Sequence, residues 1–241
     1  HNKKIFGTNK NDHPGVLDIN KTKNNFVGGE VFLLKKMLPK DKFFFYNQPK
    51  LMRSIYKNNS AVFSTRNICH KGHSHIHKNI MRSSKSLTIC IIETVKNKFE
   101  SNDIIKSYSI LKKKSKLYEK ISIIKILLPR LFAGPKEAYL QAIIFNNLRF
   151  KSFSVGRDHA GVGNFYSKYS SQRIFNKLNN LKIKILKSKE PRLCPKCGKI
   201  NFLNKKICKI KKHQQSYKPI DGTFIRNILK KKRYGDLKHY L

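Results

Sequence analysis

The sequence predicts an α/β domain built around a mostly parallel sheet. Apolar, β-branched runs near 61–63, 87–94, 121–128 and 150–155 read as buried strands, and helical patterns lie between them. Strands alternating with helices imply parallel pairing with helices packed on the sheet. Two of these strands also open into polar loops that contain glycine, the arrangement of a ligand-binding turn at a strand end. At 241 residues the chain can bury a sizeable core in one or two domains.

Residues 1–50 carry Gly7-Thr8, His13-Pro14-Gly15-Val16 and Val27-Gly28-Gly29-Glu30-Val31 between short apolar runs, which reads as strands and turns. A short helix over 51–57 feeds the first strand. That strand ends in Phe63-Ser64-Thr65-Arg66-Asn67-Ile68-Cys69-His70-Lys71-Gly72-His73, and a helix is expected from about Ser74. Two histidines three apart across a glycine can stand beside the free amides of a helix start. Unpaired N–H groups and partial positive charge suit phosphate there. The plain alternative is a polar loop rich in histidine, since His75 and His77 follow.

Strand 87–94, helix 103–120 with Ile104, Ile105, Tyr108 and Leu111 at helical spacing, and strand 121–128 come next. Ala133-Gly134-Pro135-Lys136-Glu137-Ala138 opens a helix whose Ala138, Ala142 and Ile143 are expected to face the core. Proline in the first turn and an acid near the start need no function to explain them. Strand 150–155 then leads into Val155-Gly156-Arg157-Asp158-His159-Ala160-Gly161-Val162-Gly163-Asn164. Its glycines allow close backbone approach, and Arg157, Asp158 and His159 add a fork donor, an acceptor and an imidazole.

Cysteines number five: Cys69, Cys90, Cys194, Cys197 and Cys208. An odd count with no visible secretory signal argues against a disulfide framework and for a reducing compartment. Cys194, Cys197, Cys208 and His213 offer three thiolates and an imidazole, a four-ligand set suited to closed, structural zinc. A redox pair at Cys194 and Cys197 and a nucleic-acid zinc ribbon are the competing readings. The net charge of +40 would ordinarily indicate nucleic acid or an anionic surface. Lysine is spread along the whole chain with abundant Asn and Ile, so the charge predicts non-specific polyanion binding and little more. No apolar run of membrane-spanning length is visible.

The first loop keeps Thr65, Arg66, Asn67, His70, Gly72 and His73 of a Q-T-R-N-P-x-H-x-G-H pattern, and Gly156 to Gly161 spell G-R-D-H-A-G. Together they resemble the ATP sulfurylase (sulfate adenylyltransferase) family. His13-Pro14-Gly15-Val16, the loop at 133–138 and Ile220-Asp221-Gly222-Thr223-Phe224-Ile225-Arg226 match further family motifs in order. The helix after the second loop is similar too, at Gln172, Ile174 and Phe175. The resemblance implies a Rossmann-like nucleotidyltransferase domain at 51–190, preceded at 1–50 by the remnant of a PUA-like β domain. A zinc knuckle and C-terminal helical segment would occupy 191–241, with zinc serving structure only. It also implies a chain incomplete at its N-terminus, without the C-terminal kinase-like domain of some relatives.

The implied reaction is ATP plus sulfate to adenosine 5′-phosphosulfate plus pyrophosphate, with Mg²⁺ entering on ATP. By resemblance, Arg66 and the Ala160 amide would hold sulfate, and Asn67, His70 and His73 would stabilise phosphate oxygens. Ser64 and Thr65 border the sulfate site. Gly156, Arg157, Asp158 and His159 would hold nucleotide, and Val162 would line its pocket. A homo-oligomer in the cytoplasm, or in an organelle or endosymbiont, is expected.

Several positions depart from the family. Ser64 replaces glutamine, Ile68 replaces proline, Lys136 replaces arginine, Asp221 replaces serine, and Arg130 stands one residue early. Two alternatives follow: a decayed paralogue that binds nucleotide with little turnover, and a basic, zinc-containing nucleic-acid-binding protein.

Overall fold

A computed structural model describes residues 1–22, 28–32, 39–58, 60–94, 100–178, 180–202, 208–210, 213, 217–220, 222, 225, 227 and 229. Five strands form a parallel sheet: β1 (Ser60–Thr65), β2 (Ser86–Glu93), β3 (Ile121–Leu127), β4 (Ser152–Val155) and β5 (Lys184–Lys187), in the order β3-β2-β1-β4-β5. The chain runs outward from β1 to β3, then returns to the other side of β1 for β4. The gap between the ends of β1 and β4 is therefore where the winding direction reverses, the usual ligand crevice of an open α/β sheet.

Alternation along β1 divides its side chains between two layers. Ala61 and Phe63 join Leu87, Ile89, Ile91, Ile76, Ile80, Ile104 and Tyr108 on the face covered by α4 (Lys71–Ile80) and α5 (Ser101–Lys114). Val62 joins Cys90, Ile92, Ile124, Phe153, Ala142 and Phe145 on the face covered by α3 (Pro49–Lys57) and α7 (Pro135–Asn147). Because helices cover both faces, the strands are nearly continuous apolar runs. This is why they could be read from sequence. The helix expected over 103–120 breaks at Ser115, whose backbone is extended, and resumes as α6 (Lys116–Glu119). On α7, Ala138 and Ala142 are fully buried and Ile143 is half-buried.

The strand-and-turn reading of 1–50 is corrected. Asn2–Phe6 (α1) and Pro14–Asn20 (α2) are helices, and the only β contact among the described residues of this region is the isolated Phe44–Lys125 bridge. Gly7 ends α1 in the left-handed conformation (φ 78°), and His13 caps α2 with its side chain while Pro14 fills the first turn. Gly7 and Pro14 therefore mark helix ends, not hairpins. Val27 lies outside the described residues, as do Asp221, Thr223, Phe224 and Arg226.

A second, antiparallel sheet pairs β6 (Pro191–Leu193) with β7 (Ile200–Phe202) and β8 (Lys218–Pro219). It lies against α4: Phe202 meets the His75 ring edge-on at 4.5 Å, and Ile220 closes over Gly72.

Candidate active site

The crevice between β1 and β4 opens into a cleft of about 540 Å³. All of Ser64, Thr65, Arg66, Asn67, His70, His73, Gly156, Arg157, Asp158, His159, Ala160 and Val162 line it. The displaced Arg130 also reaches this lining, stacked 4.4 Å over the Phe132 ring, whereas Lys136 is exposed and outside it.

The first loop is shaped by its own side chains. Thr65 Oγ1 accepts from the Asn67 N–H (3.0 Å), turning the chain off the strand. His70 then caps α4, its Nδ1 accepting the His73 N–H at 3.3 Å. A side chain at Gly72 would put Cβ 3.0 Å from that same nitrogen and 3.2 Å from Ile220 Cβ, so glycine is what lets the capping ring close. The His73 ring stacks on His70 at 3.7 Å. The helix therefore begins at Lys71, three residues before the sequence suggested.

Burial, reinforced by His77, pushes His70 down to about 3, and burial with the neighbouring His70 holds His73 well below its ordinary value. Both rings are neutral at physiological pH. With Nδ1 of His70 accepting, its proton resides on Nε2, a donor at the cleft. Burial and the Arg66 charge push His159 down to about 4.

The second loop is equally constrained. Any Cβ at Gly161 would lie 2.1 Å from Asp158 Oδ1. Ala160 holds the left-handed conformation (φ 56°), and its carbonyl accepts the Gly134 N–H at 3.2 Å, joining this loop to the start of α7. Such a non-glycine backbone costs about 1–2 kcal/mol and persists only where its surroundings enforce it. His13 supports the same corner. It donates through Nε2 to Tyr166 Oη (3.1 Å), which donates in turn to the Phe132 carbonyl (2.8 Å).

Sequence reasoning missed the residues that hold these groups. Arg66 Nη2 donates to buried Glu137 Oε1 at 2.5 Å, so the acid at the helix start is more than a helix signal. Gln141, four residues later on the same face of α7, accepts from Ser64 Oγ (3.0 Å) and His159 Nε2 (2.8 Å) through Oε1. Glu190 accepts from Arg157 Nη1 (3.0 Å) and Arg192 Nη2 (3.4 Å). The available signal was a pair of polar residues at i and i+4 beside the buried Ala138 and Ala142.

A family model described as ATP-sulfurylase matches residues 45–234. The chain belongs to the ATP-sulfurylase family. Curated relatives include sulfate adenylyltransferases of Hyperthermus butylicus, 33% identical over 234 residues (94% of this chain, 58% of that protein), and of Pyrococcus abyssi, 32% identical over 233 residues (94% and 60%). A third, from Ignicoccus hospitalis, is 31% identical over 95% of this chain and 60% of its own length. The chain thus spans about three-fifths of the length of these relatives. A solved hexameric APS kinase from Thiobacillus denitrificans aligns at 9% identity and a TM-score of 0.44, covering 75% of this chain and 38% of its own, too slight a likeness to argue from. No helix among the described residues is long and apolar enough to cross a membrane.

Away from the cleft, Cys194, Cys197, Cys208 and His213 bring one ligand atom each to within 4.8 Å of one another. Cys194 Sγ lies 3.5 Å from His213 Nδ1 and 4.0 Å from Cys208 Sγ. Tetrahedral zinc, with bonds of about 2.3 Å to sulfur and about 2.0–2.1 Å to nitrogen, sets ligand atoms about 3.5–3.8 Å apart. The donor set fits that ion. Gly198, at φ 68°, turns the knuckle and returns its N–H to the Cys194 carbonyl at 2.8 Å.

Proposed function

We propose that this chain transfers the adenylyl group of ATP to sulfate, giving adenosine 5′-phosphosulfate and pyrophosphate, reversibly. The observation that carries this reading is the convergence of the Arg66–His73 loop and the Gly156–Val162 loop on one cleft at the switch point of the sheet. Sulfate is already ionised at neutral pH and needs no general base. Catalysis then rests on positioning and on charge stabilisation at the α-phosphorus, where sulfate oxygen attacks in line with departing pyrophosphate.

In this reading Arg66 grips sulfate with the help of the Ala160 amide. Asn67 and the neutral donor His70, with the His73 ring stacked on it, meet the phosphate oxygens and the leaving group. Arg157, fixed by Glu190, holds the nucleotide with Gly156, Asp158 and His159, and Val162 lines its pocket. Ser64 and Thr65 set the floor beside sulfate. The acids among the described lining residues are Asp158 and Glu190, the latter already paired to arginines, so Mg²⁺ fits as the counter-ion carried by ATP and not as a caged ion. It would supply positive charge to the polyphosphate.

Zinc held by Cys194, Cys197, Cys208 and His213 would have no open position and would serve structure alone. Residues 51–190 are the catalytic unit, 191–241 the zinc-bearing unit and 1–50 a segment related to the family's N-terminal domain. Homo-oligomer formation and a cytoplasmic location belong to the same reading.

Turnover in the favourable direction tests it: ATP formed from adenosine phosphosulfate, pyrophosphate and Mg²⁺. Wild type should form ATP, and Arg66→Ala should lose about a hundredfold or more in kcat/KM, the scale of removing a preorganised charge-stabilising donor. Absence of ATP from folded, zinc-loaded wild type would instead indicate the decayed form.

A further inference from the structure

Serine at position 64 leaves the strand end without the long amide that the family motif places there, yet a carboxamide does reach this side of the cleft. Alternation along β1 puts Ser64 on the same face as Val62, towards α7, where its hydroxyl meets Gln141. Gln141 lines the cleft although it is only 3% exposed. Two donors at 2.8 and 3.0 Å fix its Oε1, so its Nε2 must face the other way. There it makes one long contact, 3.4 Å to Glu137 Oε1. That same oxygen accepts from Arg66 Nη2 at 2.5 Å.

One cationic donor and one neutral donor thus converge on a single carboxylate oxygen beside the cleft. Arg66 Nε and Glu137 Oε2 are both buried without a hydrogen-bond partner among the described residues, so the pair is incompletely satisfied. Such an arrangement can accept a competing oxyanion.

We propose that Gln141 is a sulfate-binding residue of this chain, its Nε2 supplying the carboxamide donor that Ser64 lacks. In the free protein Glu137 Oε1 fills the place of an oxyanion oxygen between Gln141 and Arg66. The proposal rests on the adenylyl-transfer reading above. It adds that the sulfate contact has moved from the strand end to the helix facing it. Ser64 is then the short partner that leaves Gln141 room and orients its oxygen.

The test compares wild type, Gln141→Met and Gln141→Met/Ser64→Gln, with sulfate and ATP varied separately in adenosine phosphosulfate formation. Methionine keeps the length of the side chain and removes the amide. Loss of a hydrogen bond to a charged group should raise the KM for sulfate about tenfold or more, with the KM for ATP within about twofold. Adding Ser64→Gln should recover part of the loss. An unchanged sulfate KM, or an ATP KM that rises in step with it, overturns the proposal, since Gln141 would then only hold His159. Should Gln141→Met melt at a much lower temperature, Gln141→Asn, which withdraws the amide by one carbon, is read by the same two constants. If wild type shows no turnover, the adenylyl-transfer reading fails, and calorimetric titration with sulfate still decides the role of Gln141. Weaker binding by Gln141→Met supports it; equal binding, or none by wild type, overturns it.

Discussion

At the scale of single residues, the two motif loops are explained largely by what their glycines permit. Gly72 admits the His70 cap, and Gly161 leaves space for the Asp158 carboxylate. Gly156 is different: nothing lies within 4 Å of where its Cβ would be. The two positions in the second loop can therefore be told apart. Gly161→Ala must turn the exposed Asp158 carboxylate aside, which that side chain can do at small cost, so the melting temperature should change little and nucleotide affinity should fall with the displaced carboxylate. Gly156→Ala should leave the melting temperature within a degree or two, yet still weaken nucleotide binding, because in the proposed reading the space beside it is the ligand's. Thermal melts with and without ATP and Mg²⁺, repeated in an Asp158→Ala background, separate the two: Gly161→Ala should become neutral there and Gly156→Ala should not. An undiminished loss of affinity from Gly161→Ala in that background would contradict this assignment. These loops were legible because each motif carries its own reason in one stretch of chain. Glu137 and Gln141 were not, because a polar residue on a buried helix face acquires meaning only from the strand end it meets, and β1 lies far away in sequence.

At the scale of elements, α4 sets three imidazoles along its inward side. His70 and His77 are 5% and 0% exposed, and His77 Nδ1 lies 3.0 Å from the buried Tyr118 hydroxyl. Burial and the neighbouring rings hold all three below the ordinary histidine value. Folded values below the unfolded one mean that the unfolded chain binds more protons once pH falls under about 6.5, the ordinary histidine value. Stability contributed by the neutral rings is thus full above that pH and is lost as pH falls from there towards the folded values. Each ring contributes a slope of about 1.4 kcal/mol per pH unit in that window. Denaturant melts between pH 7 and 5 should show this fall, and His77→Phe, which fits among Phe63, Tyr108 and Tyr118, should make it shallower. A slope unchanged by His77→Phe would place the titrating groups elsewhere. The helix was anticipated from sequence but begun too late. Its first turn reads as polar loop until His70 is recognised as the cap.

At the scale of the whole molecule, the strands that sequence revealed are those buried on both faces, while the missed ones are short and held by other means. Only Ile185 and Leu186 of the edge strand β5 are partly buried, between exposed lysines, and β8 has two residues. No apolar run announces β6 to β8. What joins them is the cluster of Cys194, Cys197, Cys208 and His213, together with a small core of Leu193, Ile220 and Ile225 packed against Ile68. That core connects the cysteine–histidine cluster to the cleft, since Ile68 and Gly72 belong to the first loop and Ile220 and Gly222 line the cavity. Structural zinc is strongly coupled to folding, so removing the ion proposed for this cluster should release the segment before the parallel sheet, whose two apolar layers contain none of the four cluster residues. Chelation should therefore produce an early partial transition and proteolytic cuts confined to the region beyond about residue 190, with most of the helical circular dichroism retained. Nucleotide affinity should fall in parallel, because the wall formed by Ile220 and Gly222 goes with the segment. One zinc per chain should be released on treatment with a thiol-blocking mercurial. Release of none, or chelation that leaves both the melt and nucleotide affinity unchanged, would mean that the apolar contacts of Leu193, Ile220 and Ile225 hold the segment by themselves.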